Sequence, residues 1–207
     1  GNSNSHNTAV GKDALRVITT GLNNVVIGAY AGDEMTNNLD NVLVGKSAFH
    51  DADAGEDYNV VIGAYAGNAI DHADTEGNIL IGQDAGTGGA AALIGCIAIG
   101  RNAMNSTAAN AQTGTIAIGQ DALTALTEGL ENTAIGYHAL DAAVTSDYCT
   151  AVGYNALSSV NADGDSINVA VGGTSGFHLT SGTQNVYMGV GSGYFNQTGG
   201  NNTYIGT

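Results

Sequence analysis

Residues 132–140 read Asn-Thr-Ala-Ile-Gly-Tyr-His-Ala-Leu, and residues 7–15 read Asn-Thr-Ala-Val-Gly-Lys-Asp-Ala-Leu. A pentad of this form, Asn-hydrophobic-Ala/Val-hydrophobic-Gly, recurs twelve times, usually followed by two free residues and then Ala. Its glycine falls at Gly11, Gly28, Gly45, Gly63, Gly82, Gly100, Gly119, Gly136, Gly153, Gly172, Gly189 and Gly206, at spacings of 17 to 19 residues. A period this regular over the whole chain means stacked, near-identical coils. The expectation is an all-β chain, a parallel β-solenoid of about twelve coils forming one domain over residues 1–207.

Composition agrees. The 207 residues include no Pro and 32 Gly. Pro cannot donate to a strand ladder, so its absence suits a body that is ladder throughout. Only 11% of residues are charged, yet 43% are hydrophobic, enough to build a core. The net charge of −15 leaves no basic face for a phosphate backbone or an anionic membrane surface, which argues against nucleic acid as a partner. No signal peptide, membrane-spanning run or lipidation motif is visible, so no membrane insertion is expected within this segment. Gly1 to His6 read as the tail of an earlier coil and Thr207 follows a repeat glycine directly, which suggests a segment of a longer fibre or a unit that stacks on others.

Within a coil, the position four before the glycine is Asn in nine of twelve cases: Asn7, Asn24, Asn41, Asn59, Asn78, Asn132, Asn168, Asn185 and Asn202. Stacked amides can bond along a ladder or close a local turn. Cys96, Thr115 and Cys149 are the exceptions. The two cysteines lie three coils apart, roughly 14 Å at the strand spacing, too far for a disulfide. They read as small, semi-buried thiols. The glycine itself marks a corner, with positive φ or another backbone close by.

The positions three and one before the glycine are almost all β-branched, as in Val25 and Ile27 or Ile116 and Ile118, and share one strand face. The expectation is that this pair lines the inside of the coil. The position between them points the other way: Ala9, Val26, Leu43, Val61, Leu80, Ala98, Ala117, Ala134, Ala151, Ala170, Tyr187 and Tyr204. A strand with one wet face should alternate apolar and polar, whereas these are apolar on both faces. Left bare, that middle column would expose on the order of 600–700 Å², more than a soluble monomer usually shows. The sequence therefore predicts that it packs against copies of itself around an axis. Tyr187 and Tyr204 suggest that the axis widens at that end.

At this point the chain resembles a known family. The Asn7–Leu15 and Asn132–Leu140 repeats are similar to the head repeats of YadA-type trimeric autotransporter adhesins, and equally to repeats of phage tail fibres. The resemblance covers the whole chain. It implies a left-handed β-roll, a homotrimer around an apolar axis, an extracellular, cell-surface or virion location, attachment to a host-surface or matrix ligand, and no catalytic residues or cofactors. These coils are longer and less uniform than the family's compact head coils, and no neck, stalk or anchor is present. A self-assembling filament subunit is the alternative.

Other motifs fit less well. Ile-Gly-x-x-Ala-x matches one hexapeptide unit of β-helix acyltransferases, which need three per coil. Gly45-Lys46-Ser47 mimics the end of a phosphate loop, but Asp40 stands where its first glycine is required. The five histidines occupy different coil positions and show no metal-ligand spacing. Asp51, Asp53 and Asp57 have calcium-like spacing without completing an EF-hand, and Asp163 with Asp165 forms a smaller pair; no metal is assigned to them. Glycosylation-type triplets such as Asn196-Gln197-Thr198 are expected by chance in an Asn/Thr-rich chain. An ice-binding solenoid would need a regular outward Thr array, which Thr8, Thr133, Thr150 and Thr203 do not form.

Overall fold

The computed structural model describes residues 6–89, 91–107 and 111–207. Residues 1–5, in the stretch read as the tail of an earlier coil, lie outside them. Each pentad forms a three-residue strand. The first is Thr8–Val10, the second Val25–Ile27, and the last Thr203–Ile205. All twelve join one parallel sheet in sequence order, in register: Thr8 pairs Val25, Ala9 pairs Val26, Val10 pairs Ile27, and so on. At about 4.8 Å per strand the stack is roughly 50 Å long. No helix occurs among the described residues. The chain is a parallel β-solenoid.

The return path has little ladder. Among the described residues it holds two short parallel pairs, Leu93–Ile94 with Gln112–Thr113 and Ser146–Asp147 with Gly164–Asp165, and isolated parallel bridges such as Leu22 to Leu39. After each repeat glycine but Gly206 the chain turns sharply: the amide three residues on donates to the glycine carbonyl, as in Ala31 to Gly28 and Ala122 to Gly119. Left-handed backbone recurs at three positions per coil. It falls two residues after the glycine (Asp121, φ 58°), four after it (Leu123, φ 50°), and just before the ladder Asn (Glu131, φ 54°).

The interior corrects the sequence reading. The middle residue of the strand points into the coil, and its two neighbours point out. Val26, Leu43, Val61, Leu80, Ala98, Ala117, Ala134, Ala151, Ala170 and Tyr187 are all fully buried within one chain, while Val25 and Ile27 are exposed. Only the end-coil members, Ala9 and Tyr204, are open. This column is therefore the core of the coil and not an intermolecular axis. The physical reason is width. A coil this short has room for little besides the small residues three after the glycine and the larger ones four and seven after it, such as Ala122, Leu123 and Leu126.

Size is balanced across that interior. At Ala98, Ala117, Ala134 and Ala151 the position six further on is bulky: Met104, Leu123, Leu140 and Leu157; Ala170, followed by Gly176, departs because Tyr187 of the next coil fills that space. At Val26, Val61, Leu80 and Tyr187 that position is glycine, whereas Leu43 is followed by Phe49. A Cβ on Gly86 would sit 2.5 Å from Leu80, and one on Gly193 would sit 2.1 Å from the Tyr187 ring. Tyr187 thus fills space that Gly176 and Gly193 leave, stacks on Tyr204 at 5.7 Å, and accepts a hydrogen bond from Asn196 at 2.7 Å. Burial pushes its hydroxyl up to about 12. No widening of an axis is involved.

Candidate functional site

The strand pattern that buries the middle column leaves a face of two outward columns. One runs Thr8, Val25, Val42, Val60, Ile79, Ile97, Ile116, Thr133, Thr150, Val169, Val186, Thr203; the other lies two residues further along each strand, from Val10 to Ile205. None of these residues is buried. Val10 is 57% exposed, Ile27 41%, Ile62 36%, Ile135 37% and Met188 47%. The sheet holds them rigidly, because every strand but the end two is bonded on both sides. The result is a continuous apolar strip, twenty side chains of Val, Ile or Met among twenty-four positions, with no charge in it. Its area is on the order of 1,000 Å², beyond the largest apolar patch of a typical monomer. The strands are apolar on both faces, as the sequence reads, but the face left outward is the pair flanking the middle column.

Rigidity along the stack comes from the asparagines. The Asn24 side-chain carbonyl accepts from the Asn41 backbone amide at 3.0 Å, and its amide donates to the Asn38 carbonyl at 2.7 Å, a turn of its own coil. The same pair of bonds recurs at Asn78, Asn132 and Asn185, so the amides both climb the ladder and close the turn. Cys96 keeps part of this, its thiol donating to the Gln112 carbonyl at 3.4 Å. Both cysteines are free and buried, and burial pushes both thiols up. Since the thiolate is the reactive form, native protein at pH 8 should react with a disulfide reagent at least about a hundredfold more slowly than protein in denaturant. Labelling at the rate of a free thiol would contradict that burial.

The column five residues after the repeat glycine is variable. It reads Arg16, Asp33, His50, Asn68, Thr87 and onward to Phe177 and Tyr194. Arg16 bonds Asp33 at 2.7 Å, and His50 sits between Asp33 and Asp51. His138 likewise sits between Asp121 and Asp141. His50 and His138 are thus paired with carboxylates, which their irregular spacing did not reveal, while His178 packs against Phe177 and Tyr194. Phe177 stacks on Tyr194 at 5.3 Å, and Tyr137 on Tyr154 at 5.6 Å.

No family model, curated protein or solved structure matches the chain. Function therefore has to be argued from the faces just described.

The proposed acidic trio is divided by the fold. The Asp51 carboxylate pairs with His50 at 2.5 Å, and Asp57 accepts from the Leu39 amide at 2.7 Å. Only Asp53 stays in a carboxylate cluster, joined by Glu56 and by Asp71 of the next coil. Asp163 accepts from the Thr145 hydroxyl at 2.9 Å. Glu56 is fully buried, and burial pushes its carboxyl up, against the lowering by its own backbone amide and Asn38.

Proposed function

We propose that the chain is the stiff body of an extracellular fibre, a phage tail fibre or the head of a bacterial surface adhesin, in which three copies meet through the strip of outward Val and Ile. The observation that supports this reading is the strip itself. Its area is comparable to the ~800 Å² per partner of a stable interface, it is free of charge, and its residues are held in register by the sheet. A second copy of the same surface is the partner that suits it, because a self-complementary apolar face closes around a symmetry axis. Three copies, in place of two, follows from the resemblance to the YadA-type heads. The role is mechanical: parallel ladders give stiffness, the apolar strip joins the chains, and the variable outer column is displayed in three copies for multivalent attachment.

Light scattering on the purified chain tests this. The wild type is expected at the mass of three chains. Ile62→Lys combined with Ile135→Lys, two outward positions several coils apart, should give a folded monomer. A monomeric wild type, or a double variant that keeps the wild-type mass, overturns the proposal.

A further inference from the structure

We infer that Asp53, Glu56 and Asp71 form a binding site for a divalent cation of the calcium class, which joins two successive outer loops.

The column in which two of these residues stand gives the first reason. Eight residues after the repeat glycine the chain has Thr19, Thr36, Asp53, Asp71, Thr127, Val144, Asn161, Thr180 and Gln197 at the described positions. The threonines bridge coils. The Thr19 hydroxyl donates to the Thr36 carbonyl at 3.0 Å, that of Thr36 to the Asp53 carbonyl at 2.8 Å, and that of Thr180 to the Gln197 carbonyl at 3.0 Å. Asp53 has no proton to give and so breaks this chain. Directly above it in the stack is another carboxylate, Asp71. Like charges facing each other on adjacent strands or coils repel. Neither side chain is in a hydrogen bond or ion pair among the described residues, so nothing in the chain offsets the repulsion.

Glu56 gives the second and independent reason. Its side chain enters the same place from inside, one carboxylate oxygen of each of the three residues lying within 4.8 Å of the others. Oε2 accepts a hydrogen bond from the buried Asn38 amide at 2.6 Å, but Oε1 is buried with no donor at all. An unsatisfied buried carboxylate oxygen is costly, and more so beside two further anions. A cation answers all three groups at once. Asn38 also positions the ligand: its own carbonyl accepts from the Thr36 amide at 3.1 Å, which ties Glu56 to the preceding loop.

The donor set decides the metal class. Three carboxylates with no nitrogen or sulfur favour a hard cation over zinc or copper. The ligands come from two irregular loops, with room for water to complete six to eight positions, which suits calcium better than the strict octahedron of magnesium. With two of the three carboxylates exposed, the affinity expected is that of extracellular calcium modules, a Kd of about 0.1–1 mM.

The test is calorimetric titration of the chelator-treated chain with calcium chloride in ~0.15 M salt, where diffuse attraction to the net negative charge is screened. One saturable site per chain is expected, with a rise in melting temperature on adding calcium. Asp53→Asn with Asp71→Asn should weaken binding at least tenfold. In chelator the same variant should melt above the wild type, because the stacked repulsion is gone. Glu56→Gln should also weaken binding at least tenfold. Absence of saturable binding at millimolar calcium overturns the inference, as does binding that both variants retain. Binding is counted per chain and melting temperatures are compared at one protein concentration, and none of the substituted residues lies in the apolar strip, so a failure here is distinguishable from a failure of the assembly proposal.

Discussion

Replacing Gly119 by Ala is expected to destabilise the chain by about 4 kcal/mol, the sum of backbone strain and overpacking, each of order 1–3 kcal/mol. Gly119 has φ +137°, a region that L side chains rarely adopt. A Cβ placed there would lie 2.3 Å from the Gly136 carbonyl oxygen and 2.6 Å from its carbon. The obstacle is backbone and cannot swing away. Because each repeat glycine faces the next, from Gly11 against Gly28 to Gly189 against Gly206, the substitution pushes apart two coils whose strands are bonded through Ile118 and Ile135. In a stack where stability is shared between neighbours, the damage spreads to both sides. Gly77 is the control. It also has positive φ, +67°, but nothing lies within 4 Å of its Cβ position. Gly77→Ala should cost about 1 kcal/mol, the ordinary penalty for a left-handed L residue. Denaturant unfolding of both variants at one protein concentration separates the two contributions, and equal losses would show that strain, not close approach, selects the repeat glycine.

That glycine was legible from the chain alone because period and residue type coincide: nothing else fits a corner where coil touches coil. The asparagine ladder was legible for a similar reason, since a buried amide with donor and acceptor can serve two coils and few other side chains can. What a period of two does not contain is a sign. Alternation places Ala117 opposite Ile116 and Ile118 without saying which face is inside, and when both faces are apolar hydrophobicity does not break the tie. Bulk pointed the wrong way, because the narrow interior is filled from the Leu123 and Leu126 columns and leaves only a methyl's space for residue 117. A partial signal lay in the sequence all the same, with Leu43 before Phe49 and Ala170 before Gly176 running against it. Large residues at Leu80 and Tyr187 go with glycine six positions later, and alanines at 98, 117, 134 and 151 go with Met or Leu there. Such volume exchange is expected only between positions that share one core.

The carboxylate cluster was half legible. Linear spacing along one loop picked out Asp51, Asp53 and Asp57, as a calcium loop built from a single segment would require. In a solenoid the neighbours of a residue are the residues one coil away, so the informative spacing is the coil period. On that measure Asp53 and Asp71 coincide, each eight residues after its glycine. Glu56 could not be found this way, because its burial depends on the path of the return loop and on Asn38, neither of which the repeat fixes.

The face assignment makes a second prediction of large effect. Ala117 is fully buried, in the same core as Leu123. Ala117→Asp places an unpaired carboxylate, with three extra heavy atoms, in a space with no donor group provided for it. A cost above about 4 kcal/mol is expected, from burying a charge and overpacking together, so the variant should lose its β-sheet circular dichroism or melt far below the wild type. Ile135→Lys makes the opposite case. Ile135 is 37% exposed beside that same core, and a lysine there keeps its charge in solvent while its methylene stem covers the strip. It should leave the sheet signal intact and act on assembly alone. If the middle column instead lined an intermolecular axis, the pattern would reverse: Ala117→Asp would yield a folded, dissociated chain, and Ile135→Lys would unfold it. Circular dichroism and solution mass, measured on the same two variants, therefore decide which side of the strand is the inside.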